Sequence, residues 1–90
     1  PAIFNALRDH PKNRDATFDS LRVCIAGAEA VPAALVNWWY ERGVVIQEGY
    51  GMTENMASCC ILGYDDVPAR VGSAGKALRH TEIKIVTFFN

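Results

Sequence analysis

The order of three short segments near the middle of the chain constrains its fold most. Residues 21–26, Leu-Arg-Val-Cys-Ile-Ala, form a nearly continuous apolar run, which is typical of a strand covered on both faces. Pro32 suits the start of a helix and Gly43 suits its C-terminal end, so residues 32–42 are predicted to be helical. Residues 44–47 predict a second strand. A strand–helix–strand unit with short links is almost always parallel and right-handed, which indicates an α/β fold with a partly parallel sheet.

The segments on either side add further elements. Residues 1–10 predict a helix that ends before Pro11, and Phe18 in the polar stretch after it is predicted to anchor in a core. Residues 56–62 are apolar and predict a strand. The alternation of polar and apolar residues at positions 82–86 predicts a half-exposed strand near the end of the chain.

The parallel unit brings two loops to one edge of the sheet. Gly27–Ala30 follows the first strand and Gly49–Thr53 follows the second. Open α/β sheets bind ligands at the carboxyl ends of their strands, so the two loops are predicted to line one crevice. The second loop combines two glycines with Tyr50 and Thr53, and Glu54 follows, which suits a phosphate or nucleotide site. Taken alone, this loop also allows a plain turn in which Thr53 caps a new helix.

Composition and charge exclude several classes of protein. Ninety residues, half of them hydrophobic, make one small domain or a piece of a larger one. A formal net charge of −1 gives no electrostatic support for binding nucleic acid or an anionic membrane. No apolar run approaches the roughly 20 residues of a spanning helix, and no signal peptide is recognised. The three cysteines lack a Cys-x-x-Cys pair, so they are predicted to be buried thiols in a reducing, cytoplasmic compartment.

Residues 70–76 are rich in glycine and raise the question of a phosphate-binding P-loop. The spacing to a Lys-Ser or Lys-Thr pair that a P-loop requires is missing from this segment. The glycines are therefore predicted to serve a turn between strands.

Three segments, taken in this order, resemble the adenylate-forming enzymes. They are Gly27–Pro32 with the sequence GAEAVP, Gln47–Glu54 with QEGYGMTE, and Val71–Leu78 with VGSAGKAL. The Tyr-Gly-x-Thr-Glu pattern of the second segment is among the more specific signatures of that superfamily. The match is closest to fatty-acid and other acyl-CoA synthetases. It covers nearly the whole chain and implies that residues 1–90 are an internal fragment of the large N-terminal adenylation domain.

The resemblance implies roles for individual residues. In the family, the threonine of the central motif contacts phosphate and its glutamate binds magnesium, which points to Thr53 and Glu54 as catalytic residues. The aromatic residue of the motif, here Tyr50, lies against the adenine, and the first loop borders the adenine and the acyl pocket. Gly51 and Met52 would lie beside the reacting carboxylate. The nucleotide-binding set implied in this way is Gly27, Ala28, Glu29, Gly49, Tyr50, Gly51, Met52 and Thr53.

The resemblance also implies a reaction with two steps. A carboxylate attacks the α-phosphorus of ATP to give an acyl-adenylate and pyrophosphate, and the thiol of coenzyme A then takes the acyl group. The expected ligands are therefore ATP, Mg²⁺, coenzyme A and a carboxylic acid. The sequence of the first motif favours a fatty acid as that acid. The chain lacks the family's upstream phosphate loop and its C-terminal catalytic lysine. The isolated fragment is thus predicted to be inactive and to self-associate through exposed strand edges.

Two alternatives remain open on the sequence. The first is a fragment of an acyl-AMP ligase or of a peptide-synthetase adenylation domain, in which the acceptor is a carrier protein. The second is a free-standing α/β module that binds a nucleotide or a partner without catalysis. The sequence defines neither the acyl chain length nor the oligomeric state.

Overall fold

The computed structural model describes residues 1–88 and contains a four-stranded sheet with one helix packed on it and another packed on that helix. The helices are α1 (Ala2–Asp9) and α2 (Ala33–Glu41), and the strands are β1 (Cys24–Ala26), β2 (Ile46–Met52), β3 (Ala57–Ile61) and β4 (Lys76–Ala77). Short 3₁₀ turns occur at Pro11–Asp15, Thr53–Asn55 and Tyr64–Asp66. No helix within residues 1–88 is both long enough and apolar enough to cross a membrane.

The sheet is mixed, with the strands in the order β1-β2-β3-β4. β1 and β2 are parallel, and Ala26 pairs with Glu48 at the end of their shared ladder. β2 then runs antiparallel to β3, and β3 runs antiparallel to β4. The predicted α/β class and its parallel strand–helix–strand unit are therefore confirmed. The antiparallel half of the sheet was not predicted from the sequence.

β2 is longer than the sequence predicts. The predicted strand ends at Gln47 and is followed by a loop, whereas β2 continues through both glycines to Met52. Because β3 supplies a ladder for this second half, pairing overrides the low strand propensity of glycine. Gly51 is also required sterically, since a Cβ there would overlap the Ala57 carbonyl. Thr53 does not cap a helix: it opens a 3₁₀ turn, and the residue in the N-cap position makes no side-chain capping bond.

The core is built around Trp39 on α2, whose side chain is 2% exposed. Its ring makes edge-to-face contacts with Phe4, Phe18 and Trp38 at centroid distances of 6.1, 5.5 and 5.1 Å. Its indole N–H donates to the Phe4 carbonyl at 3.3 Å, which ties α1 to α2. Phe18 thus anchors the polar stretch as predicted, and Leu35, Val36 and Trp39 form the buried face of α2.

The segment after α1 is held by side chains that the sequence did not single out. The Arg42 guanidinium donates to the carbonyls of Asn13 and Ala16 at 2.6 and 3.3 Å and stacks over the Trp38 ring at 5.2 Å. The Asn13 amide in turn donates to the Leu7 carbonyl at 2.7 Å. Arg42, the residue that follows α2, therefore holds the connection between α1 and β1 at residues 13–16.

Two sequence-based predictions about strands are wrong. β1 is covered on one face only, because Ile25 in its centre is 55% exposed. Residues 82–86 form no strand, and Ile85 is 91% exposed, since no neighbouring strand within residues 1–88 pairs with this segment. Polar and apolar residues do alternate at positions 82–86, but a strand also needs a neighbouring strand with which to form hydrogen bonds. Residues 89–90, a phenylalanine and an asparagine, lie outside the described residues.

Candidate functional site

Two adjoining cavities open where β1 ends. The first, of about 530 Å³, is lined by residues 25–28, by residues 49–53 and by residues 56–58. The second, of about 390 Å³, is lined by residues 28–30 and 48–51 together with Gly72 and Ala74. The two loops that the topology was predicted to bring together do line one crevice, which they divide into these cavities.

All eight residues predicted to bind the nucleotide line this crevice. Seven of them line the first cavity: Gly27, Ala28, Gly49, Tyr50, Gly51, Met52 and Thr53. Glu29 lines the second cavity, alongside Ala28, Gly49, Tyr50 and Gly51. Glu54, the predicted magnesium ligand, lines neither cavity and is exposed in the turn Thr53–Asn55, next to Thr53. The structure thus brings the eight predicted residues together and leaves the Glu54 carboxylate just outside the crevice.

The wall formed by β2 presents Tyr50 with an exposed ring. Its backbone pairs with Cys60 of β3, and the backbone of Tyr50 also hydrogen-bonds the Cys60 thiol. Burial raises the pKa of Cys60, and the neighbouring Cys59 thiol raises it further, while the bond to Tyr50 lowers it. Cys59 and Cys60 are buried free thiols as predicted, but Cys24 is only half-buried.

Strained backbone surrounds the first cavity. Ala28, Met56 and Ala57 have φ angles of +75°, +57° and +92°, in the left-handed region that favours glycine. All three residues line the first cavity. Such strain costs about 1–3 kcal/mol per residue and tends to cluster at functional sites. No sequence signal marks these positions, because none of them is occupied by glycine or asparagine.

The third motif also reaches the crevice, which the sequence did not predict. Gly72 and Ala74 line the second cavity, opposite Glu29 and Gly49. The predicted turn between strands is confirmed, since these residues connect β3 to β4 and Gly75 has a φ of +88°. A Cβ on Gly75 would overlap the backbone of Ile61, so this turn packs directly against the sheet.

Glu48 is a further residue that sequence reasoning missed. It lies in β2 immediately before Gly49, is only 9% exposed and lines the second cavity. Its Oε1 accepts a hydrogen bond from the Val31 N–H at 3.0 Å. A carboxylate soon after the apolar run at residues 44–46 is the signal that could have drawn attention to it.

The side chains at the crevice limit how a metal ion could be held. No cluster of three or more His, Cys, Asp or Glu side chains that could hold a metal occurs within residues 1–88. Mg²⁺ needs no such cluster, because it is often bound by one or two carboxylates together with substrate phosphates and waters. The exposed Glu54 carboxylate beside Thr53 fits that type of coordination.

The chain has an α/β fold with a glycine-rich crevice at the carboxyl end of two parallel strands, the edge at which open α/β sheets bind ligands. Residues 1–88 match the family model described as AMP-binding enzyme, and the chain belongs to this family. The resemblance to adenylate-forming enzymes that the three motifs carry is thereby confirmed.

Similar proteins include several CoA ligases. A feruloyl-CoA synthase of Amycolatopsis sp. is 34% identical over 85 residues, which cover 94% of this chain and 17% of that protein. The long-chain-fatty-acid–CoA ligase FadD13 of Mycobacterium tuberculosis (strain CDC 1551 / Oshkosh) is 28% identical over the same length, with the same coverage.

The fold is also similar to solved structures. The crystal structure of the anthranilate CoA ligase AuaEII in complex with anthranoyl-AMP matches with a TM-score of 0.81 and 34% identity, over 96% of this chain and 16% of that chain. This chain therefore spans about a sixth of the length of the relatives that it matches.

Proposed function

We propose that residues 1–90 are one segment of the adenylation domain of a longer CoA ligase, which joins a carboxylic acid to coenzyme A at the expense of ATP. The observation that carries this proposal is the crevice, because eight residues implied by the family resemblance line it in a chain that belongs to the AMP-binding enzymes. The CoA ligases among its relatives support the reaction type.

The β2 wall of the crevice suits an adenylate. The exposed ring of Tyr50 offers a flat face to adenine, and stacking of a base on an aromatic ring is worth about 1–3 kcal/mol. Gly49 and Gly51 carry no side chain, so a ligand can approach the backbone closely. The Thr53 hydroxyl is the donor proposed for phosphate, and Met52 lies beside it at the position proposed for the reacting carboxylate.

Glu54 is the residue that would hold Mg²⁺. When bound, such an ion supplies charge neutralisation to the phosphates of ATP. Positioning and charge stabilisation are the main demands of phosphoryl-type chemistry. The contribution of this chain is therefore to orient the nucleotide through Tyr50, Thr53 and the first loop.

A third cavity supports a proposal for the class of acid. It has a volume of about 420 Å³ and lies between the start of α1 and the loop at Gly27–Glu29. Its lining is apolar apart from Glu29, so we propose a carboxylic acid with an apolar body. A fatty acid was predicted from the first motif, and an aromatic acid is supported by relatives named for ferulate and anthranilate.

The experiment is ATP–pyrophosphate exchange by the full-length protein that contains residues 1–90, with a panel of fatty and aromatic acids, followed by thioester formation with coenzyme A. Exchange driven by one class of acid is expected. Thr53→Val, which removes the hydroxyl at nearly constant volume, should reduce exchange by an order of magnitude or more, Thr53→Ser should retain most of it, and Thr87→Val is the control. A folded protein that shows no exchange with any acid would contradict the proposal.

Four finer points have their own tests. Transfer to a carrier protein instead of coenzyme A would indicate the acyl-AMP ligase or peptide-synthetase alternative. Nucleotide binding without exchange would favour the non-catalytic module. The ninety residues alone are predicted to be inactive, so robust exchange by the chain itself would overturn the fragment interpretation. The cytoplasmic location remains a prediction, which fractionation of the source cells would test.

A further inference from the structure

Glu48 contacts both ends of the loop at residues 27–30. On the incoming side, its backbone is the register partner of Ala26, the last residue of β1. On the outgoing side, its Oε1 accepts the Val31 N–H at 3.0 Å. A single residue of β2 therefore closes the loop that forms one wall of the crevice, across a separation of 17 residues along the chain.

The environment of the carboxylate makes this bond strong. Glu48 and Val31 are both buried, so water competes weakly for the Val31 N–H. A hydrogen bond to a charged acceptor is roughly twice as strong as one between neutral groups. The carboxylate also lies at the entry to α2, where Pro32 precedes the first helical residue, and negative charge is favourable at that end of a helix.

The same residue fixes the opposite wall. The Glu48 carbonyl accepts the Leu62 N–H at 2.8 Å, and Gly49, the next residue, lines both cavities of the crevice. The two walls touch through their backbones, because a Cβ added to Gly27 would lie 3.2 Å from the Gly49 carbonyl oxygen. A shift of the loop would therefore change the width of the crevice directly.

We propose that Glu48 is a positioning residue whose carboxylate sets the distance between the loop at residues 27–30 and the β2 wall. It acts through Val31 and not by contact with the reacting atoms. This inference rests on the proposed function for its activity readout, and it assigns a role to a residue outside the implied nucleotide-binding set.

Three substitutions separate geometry from charge. Glu48→Gln keeps an oxygen acceptor at the same reach and removes the charge. Glu48→Asp keeps the charge on a side chain shorter by about 1.5 Å, one C–C bond. Glu48→Ala removes both. Glu41→Ala, at an exposed position on α2, is the matched control.

The first readout is hydrogen exchange at the Val31 amide in the full-length protein, resolved by mass spectrometry with fragmentation. Exchange should be faster by about tenfold or more in Glu48→Ala and Glu48→Asp, the factor expected from loss of a hydrogen bond to a charged group. Glu48→Gln should show a smaller increase than Glu48→Ala, because an uncharged oxygen acceptor remains, and Glu41→Ala should stay close to the parent. Leu35 and Val36, whose N–H groups donate to the Pro32 carbonyl, should keep their protection in every variant.

The second readout is the split of kcat and KM in ATP–pyrophosphate exchange. Glu48→Ala and Glu48→Asp should lower kcat/KM by about tenfold or more, whereas Glu48→Gln should retain most of the kcat/KM of the parent. Activity that survives in Glu48→Asp but not in Glu48→Gln would overturn positioning in favour of charge, as would unchanged Val31 exchange in Glu48→Ala. If Glu48→Ala does not fold, the Gln and Asp variants decide. A parent protein without exchange activity would overturn the proposed function, and the Val31 measurement would still decide the role of Glu48.

Discussion

Gly49 and Gly51 both lie in β2, yet the structure gives opposite expectations for replacing them by alanine. A Cβ on Gly51 would overlap the Ala57 carbonyl and the Ser58 backbone, so β3 itself would have to move. Overpacking of this kind costs about 1–3 kcal/mol. A Cβ on Gly49 would lie 3.8 Å from its nearest neighbour, the Cys60 carbonyl, which is ordinary contact. Gly49→Ala should therefore be neutral or stabilising by up to about 1 kcal/mol.

The assay is urea unfolding of the purified chain, followed by the fluorescence of its two tryptophans, Trp38 and Trp39. The free energies of unfolding of the two variants should differ by about 1–4 kcal/mol. An unchanged denaturant slope would show that the denatured state is comparable in both. Equal tolerance of alanine at the two positions, or a larger loss at Gly49, would refute the close packing of β2 against β3.

Three further predictions concern stability. Trp39→Ala should cost about 3–5 kcal/mol, whereas Tyr40→Ala, at an exposed neighbour, should cost less than about 1 kcal/mol in the same urea assay. Ala57→Gly should stabilise the protein by about 0.5–1 kcal/mol, because Ala57 has a φ of +92°. Ala34→Gly within α2 should destabilise it by a similar amount. Thermal unfolding that ranks the two variants the other way would argue against backbone strain at Ala57. Burial raises the pKa of the Cys60 thiol above its ordinary 9.0, so the thiolate forms first in the unfolded chain. The free energy of unfolding should then fall as the pH rises above 9.0, with a smaller slope in Cys60→Ala; an identical slope in that variant would exclude the thiol as the cause.

The part of the fold that the sequence predicts depends on local signals. The apolar run at β1, Pro32 before α2 and Gly43 after it act over a few residues, and the parallel unit follows from them by a general rule of handedness. The continuation of β2 through Gly49 and Gly51 was not predictable in this way. It depends on a ladder with β3, a contact between segments whose own preferences do not reveal it.

The candidate site likewise has one part that the sequence predicts and another part that it does not. Topology alone was enough to bring the loop at residues 27–30 to the wall at residues 49–53. The bond between Glu48 and Val31, the strained backbone at Ala57 and the approach of Gly72 all depend on packing between distant segments. The types of these residues give no local signal of such roles. The sequence therefore predicts which loops form the site but not the contacts that fix its geometry.

β2 belongs to two different ladders within seven residues, parallel to β1 at first and antiparallel to β3 afterwards. Deleting one residue before it would exchange its two faces and turn Ile46 and Glu48 away from α2. Each half of the strand is registered against a different partner, and the register against β3 already shifts between Tyr50 and Gly51. Gains and losses of residues among relatives should therefore accumulate at residues 63–69 and be absent from residues 46–61, where a change of length would disturb one of the two ladders.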